Sequence, residues 1–118
     1  MIAHIVFFSP KPGLGKSDLR SFAQSFQDVC RQIPSIRRAR IGPILELTAA
    51  PEPKVGVKTY SVAAWLEFDD GDGLEEYLKH PSHEVLGKLF WKYCGSTLVA
   101  NVDMADPLKD RVGDVFGL

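Results

Sequence analysis

Residues 60–68 alternate in a way that few folds can satisfy. Tyr60, Val62, Ala64, Leu66 and Phe68 form one set, and Ser61, Ala63, Trp65 and Glu67 form the other. Successive side chains of a strand point to opposite faces, so both faces of this segment are substantially apolar. Lys58 to Phe68 is the clearest strand of the chain, and it needs cover on both sides. With 118 residues, the chain has length for about one domain. Helices can supply one cover; the other has to come from elsewhere.

The remaining elements follow from periodicity and punctuation. Ile2 to Phe8 is rich in strand formers and stops at Ser9-Pro10-Lys11-Pro12-Gly13, where two prolines and a glycine break a strand. Ser17 is positioned as a helix N-cap, with Asp18 complementing the helix dipole. Leu19, Phe22, Phe26, Val29 and Ile33 then recur at spacings of three and four, the stripe of a half-buried helix that Pro34 ends. Arg37 to Leu47, interrupted by Gly42-Pro43, reads as a strand with a bend or at a sheet edge. Thr48 to Gly56 is a loop. After the acidic turn Asp69–Gly73 come a short helix, Leu74–Lys79, and a break at His80-Pro81. A second helical piece runs from Pro81 to Tyr93, with Gly95 in the helix-ending role. Thr97 to Asp103 is the last strand. The polar tail carries Val112, Val115 and Phe116 as residues able to clip onto the domain.

The order β-α-β-β-α-β, with right-handed crossovers, is that of the α+β, ferredoxin-like split β-α-β fold. Its antiparallel sheet has the strand order 4-1-3-2 and carries helices on one face. The other face would be a large apolar patch on a single chain. A second copy covers it most simply, so a homodimer is expected, with one domain over residues 1–106 and an extension over 107–118.

Composition and motifs exclude several function classes. A net charge of −1 advertises neither nucleic acid nor an anionic membrane. Arg37, Arg38 and Arg40 cluster without interleaved aromatics, a poor nucleic-acid surface. No apolar run reaches the length of a membrane span, and no signal peptide is recognised. Two cysteines, Cys30 and Cys94, make no disulfide scaffold, so a cytoplasmic location is expected. The segment Pro10–Ser17 ends in Gly-Lys-Ser like a phosphate loop, but Pro10 replaces its first glycine and Pro12 lacks an N–H. Asp70-Gly71-Asp72-Gly73 begins like a calcium loop, yet Leu74 and Pro81 fall where oxygen ligands are needed.

The topology brings a small set of titratable groups together. The first and last strands are antiparallel neighbours, so His4 near the start of one meets Asp103 near the end of the other. The second helical region begins at that end and carries Tyr77, His80 and His83 over it. An apolar lid of Val85, Leu86, Leu89 and Phe90 completes a candidate small-molecule pocket. There an imidazole stays neutral, because desolvation disfavours its charged form. Asp103 can hold the tautomer of His83 or of His4. Neutral His83 can then take a proton next to a carbonyl, while Tyr77 or His4 hydrogen-bonds the developing enolate oxygen. The scheme uses neither metal nor cofactor. His80-x-x-His83 has a metal-like spacing, but the intervening Pro81 and the absence of a thiolate pair argue against a metal site. A structural role is equally open: His80 caps the helix, and His83 bonds a backbone carbonyl.

His4-Ile5-Val6-Phe7-Phe8, the run Tyr77-Leu78-Lys79-His80-Pro81-Ser82-His83, and Val102-Asp103 resemble the stress-responsive A/B barrel domain family, a group of dimeric α+β barrels. The resemblance covers roughly residues 2–104. It implies a homodimer and a site containing His83, Tyr77 and His4. One plant member of the family is a cofactor-free polyketide cyclase, in which the histidine matching His83 is the base. The 48–58 loop and the residues past Pro107 depart from the family's usual length. The expected function is a small-molecule pocket with acid–base chemistry on an apolar or aromatic carbonyl compound. The alternatives are a non-enzymatic stress or assembly module and a haem-handling or monooxygenase-like barrel.

Overall fold

The computed structural model describes residues 1–45 and 60–118. Their elements are β1 (Ile2–Pro10), α1 (Lys16–Gln32), β2 (Arg38–Pro43), β3 (Val62–Phe68), α2 (Gly71–Lys79), α3 (Pro81–Tyr93) and β4 (Cys94–Asp103), then a short 3₁₀ turn at Val112–Phe116. The four strands form one antiparallel sheet in the order β2-β3-β1-β4. This is the α+β, ferredoxin-like arrangement that the element order implies. The expected loop at 48–58, and the parts of the flanking strands expected at Leu47 and Lys58, lie outside the described residues.

Register divides the sheet into two faces. Residues opposite one another share a face, and β1 sets His4 opposite Leu66 on one side and Asn101 on the other. His4, Val6 and Phe8 therefore lie with Ala64, Leu66 and Phe68 under the helices, where all six are buried. Phe22, Phe26 and Val29 of α1 and Leu86 of α3 complete that core. Phe8, Phe22 and Phe90 pack ring against ring, with Phe90 meeting the other two edge-on at 4.9 Å. Each such buried side chain contributes about 1.5–3 kcal/mol relative to exposure. The opposite face carries Ile5, Phe7, Trp65, Leu98, Ala100 and Val102. Ala3 on this face is buried, Ile5, Phe7, Trp65, Ala100 and Val102 are half-buried, and Leu98 is half exposed.

Several local expectations are corrected. α1 starts at Lys16 with Gly15 as N-cap and no side-chain cap; Ser17 already lies inside the first turn, which the Gly15 carbonyl closes by accepting from Leu19 N–H. Leu19 is 42% exposed, so the buried stripe begins one turn later, at Phe22. α2 starts at Gly71 rather than Leu74, because Asp70 accepts a hydrogen bond from the Gly73 N–H at 2.9 Å and nucleates an earlier turn. α3 ends at Tyr93, and the extended backbone of its C-cap Cys94 passes directly into β4. Gly95 does not end the helix. It is the extra residue of a bulge between the pairs Ser9–Ser96 and Pro10–Cys94, a place where glycine is common. Val112, Val115 and Phe116 of the tail do not clip onto the core: all three are exposed, Phe116 by 75%. β2 is an edge strand ending at Pro43, as its Gly-Pro interruption suggests.

Candidate functional site

Three elements converge on one end of the sheet. β1 presents His4 beneath the helices, only 5% exposed. α2 carries Tyr77 on its buried face. His80 and Pro81 then separate two helices: Pro81 occupies the first turn of α3, and His80 Nδ1 accepts from the Ser82 N–H at 3.1 Å. His80 is thereby a cap, the structural role open to it from sequence. The break turns the chain so that His83, in the first turn of α3, faces back onto Tyr77.

Tyr77 stands between the two imidazoles. Its ring centroid lies 4.5 Å from that of His83 and 5.3 Å from that of His4, both edge-on. Phe68 supports it from below at 5.3 Å. Burial pushes the Tyr77 phenol far above its ordinary range, with Cys30 adding to the effect. Burial also lowers the pKa of both imidazoles. For His83 the proximity of His4 lowers it further, while the Leu78 carbonyl opposes. At neutral pH the site therefore holds two uncharged imidazoles and one protonated phenol.

The partner that holds His4 is Asn101, not Asp103. Nδ1 of His4 lies 2.6 Å from Oδ1 of Asn101. An amide oxygen only accepts, so Nδ1 carries the proton and Nε2 keeps its lone pair. Neutral His4 is thus a proton acceptor at its free nitrogen, not a donor to an enolate oxygen. Asp103 lies one alternation further along β4, opposite Ile2, and is exposed. No motif marks Asn101; only the register of β1 against β4 places it opposite His4.

His4, Tyr77 and His83 line one end of a cavity of about 530 Å³ between sheet and helices. That volume suits a small organic ligand. Val6, Leu86, Phe90 and Val99 form its apolar walls, and Gly87, Trp91, Ser96 and Thr97 also reach it. Of the expected lid, Leu86 and Phe90 serve, whereas Leu89 packs against the core and Val85 is exposed. The cavity exists because the helices leave the helix-side surface of β4 uncovered: Val99, opposite Val6, is half exposed. The arrangement can hold an apolar body and place its polar end beside His4, Tyr77 and His83.

A ferredoxin-like sheet with a helix-roofed, imidazole-lined cavity defines the class: a small α+β domain with a pocket between its two layers. The chain belongs to the stress responsive A/B barrel domain family, whose model matches residues 2–104. Among solved structures it is similar to hydroxynitrile lyase from Passiflora edulis, with TM-score 0.70 and 17% identity over 90% of this chain and 96% of that one. It is also similar to an Arabidopsis thaliana protein, with TM-score 0.72 and 16% identity over 90% and 97% of the two chains. A dimeric ferredoxin-like protein of unknown function from Thermobifida fusca gives TM-score 0.68 and 18% identity over 87% and 90%. No curated protein matches the chain. No helix among the described residues is long and apolar enough to cross a membrane.

Proposed function

We propose that the protein is a homodimer that binds a small carbonyl compound between sheet and helices and moves a proton on it, in the manner of a cofactor-free polyketide cyclase. The observation that carries this is Tyr77 held between two neutral imidazoles at one end of a 530 Å³ apolar cavity. His83 or His4 takes the proton next to the carbonyl, and the Tyr77 hydroxyl supports the oxygen on which charge develops. Asp103 has no part in this scheme; Asn101 positions His4. Two proton acceptors and a phenol would equally serve to deprotonate a cyanohydrin hydroxyl, the chemistry suggested by the name of the Passiflora neighbour. The apolar open face of the sheet and the dimeric state of solved neighbours support pairing of two copies.

Exchange of the acetyl protons of acetophenone for deuterium, followed by NMR in deuterated buffer, tests the chemistry. The protein should accelerate exchange, and His83→Ala should remove most of the acceleration, within the roughly 10²–10⁴-fold range of positioned acid–base groups. Exchange no faster than with free imidazole, or a His83→Ala variant as fast as the parent, refutes the reading.

A further inference from the structure

The mouth of the cavity holds two residues that proton transfer does not use. Trp91 lines the cavity yet is 87% exposed, so the largest side chain of α3 packs on almost nothing among the described residues. Gly87 lies one turn earlier on the same helix and also lines the cavity. Glycine inside a helix is destabilising relative to alanine, and nothing about this position demands it. Its φ is not positive, and a Cβ built there meets no atom of the described residues within 4 Å. The missing side chain therefore relieves no clash. It leaves open space where the cavity meets solvent.

The two residues are linked by helix geometry. Long side chains on a helix lean toward its N-terminus and cover the preceding turn. The turn preceding Trp91 is that of Gly87, so indole and bare backbone frame one opening, with Val99 of β4 also at the cavity. A flat ring can slide over a glycine backbone more closely than over any side chain, and an indole face favours an aromatic partner.

We propose that Gly87 and Trp91 form an aromatic mouth that selects flat, unsaturated ligands over saturated ones of the same size. The ring lies over Gly87 and against the Trp91 indole, and the carbonyl reaches the His4–Tyr77–His83 end. This deepens the proton-transfer reading and rests on it for the polar end of the ligand.

Two ketones with the same acetyl group separate the ideas: acetophenone, and cyclohexyl methyl ketone, whose ring is saturated. Both are titrated into the ¹⁵N-labelled protein and followed through the indole N–H signals of its two tryptophans. Trp65 lies on the opposite sheet face and serves as an internal control. Acetophenone should bind about tenfold more tightly, near the upper end of what an aromatic pair adds beyond its area, and should shift Trp91 but not Trp65. Trp91→Ala removes an exposed ring, so the fold survives; it should bring the two affinities to parity by weakening acetophenone alone. Gly87→Leu, with an unchanged circular dichroism spectrum, should weaken both ketones about tenfold or more by filling the opening. Equal affinities in the parent protein, or a preference that survives Trp91→Ala, overturn the aromatic mouth while the exchange assay still stands. Absence of binding by either ketone, together with absence of catalysed exchange, overturns both.

Discussion

His4 and Asn101 sit opposite one another on β1 and β4, and the imidazole Nδ1 donates to the amide Oδ1 across 2.6 Å. The bond fixes which nitrogen of a nearly sealed imidazole is basic. It also raises a pKa that burial lowers.

Asn101→Leu should therefore act in two ways. The orphaned N–H costs about 1–3 kcal/mol of stability, the usual penalty for an unsatisfied buried donor. The pKa of His4 should fall further, because the raising contribution is gone. Urea denaturation reads the first effect, and NMR titration of the His4 ring reads the second. An unchanged His4 titration would show that Asn101 does not hold the tautomer.

Stability should depend on pH through the two imidazoles. Both have folded-state values below the ordinary 6.5. The unfolded chain then binds more protons than the folded one between each lowered value and 6.5, so stability is complete above about 6.5 and declines as pH falls through that window. Denaturation midpoints at pH 7.5 and pH 5.5 should differ in that direction. The double variant His4→Gln, His83→Gln should flatten the difference.

The open sheet face should drive association. Light scattering at micromolar concentration is expected to give twice the 13.1 kDa of one chain. Phe7→Glu or Leu98→Glu, each on that face, should shift the mass toward a single chain, because a charge buried against apolar surface costs several kcal/mol. A parent protein that scatters as a single chain would refute the dimer.

The C-terminal extension should be dispensable for the fold. Leu108, Phe116 and Leu118 are all exposed, and the 3₁₀ turn is held by local bonds such as Leu118 N–H to the Gly113 carbonyl. A chain ending at residue 106 should unfold within about 0.5 kcal/mol of the 118-residue chain, as changes to exposed positions usually do. A larger loss would mean that the tail packs on something the single chain does not contain.

Much of this protein is written in local pattern. The two-faced strand ending at Phe68, the Phe22–Phe26–Val29 stripe and the proline break at His80-Pro81 each follow from period and backbone stereochemistry alone. Together they yield the element order, the sheet order and the open face. They also carry His4, Tyr77 and His83 to one end of the sheet, since the first strand starts there and the second helical region begins over the same end. What a sequence does not contain is register. Asn101 and Asp103 share a face because side chains alternate with period two, and only the pairing of His4 with Asn101 rather than with Asp103 selects the amide as partner. Tertiary structure likewise decided that Gly95 forms a bulge and that Gly87 borders empty space, because a glycine's neighbours in space are set by packing between elements. Local periodicity thus determined which elements exist, and the contacts among them determined the chemistry each nitrogen and oxygen can perform.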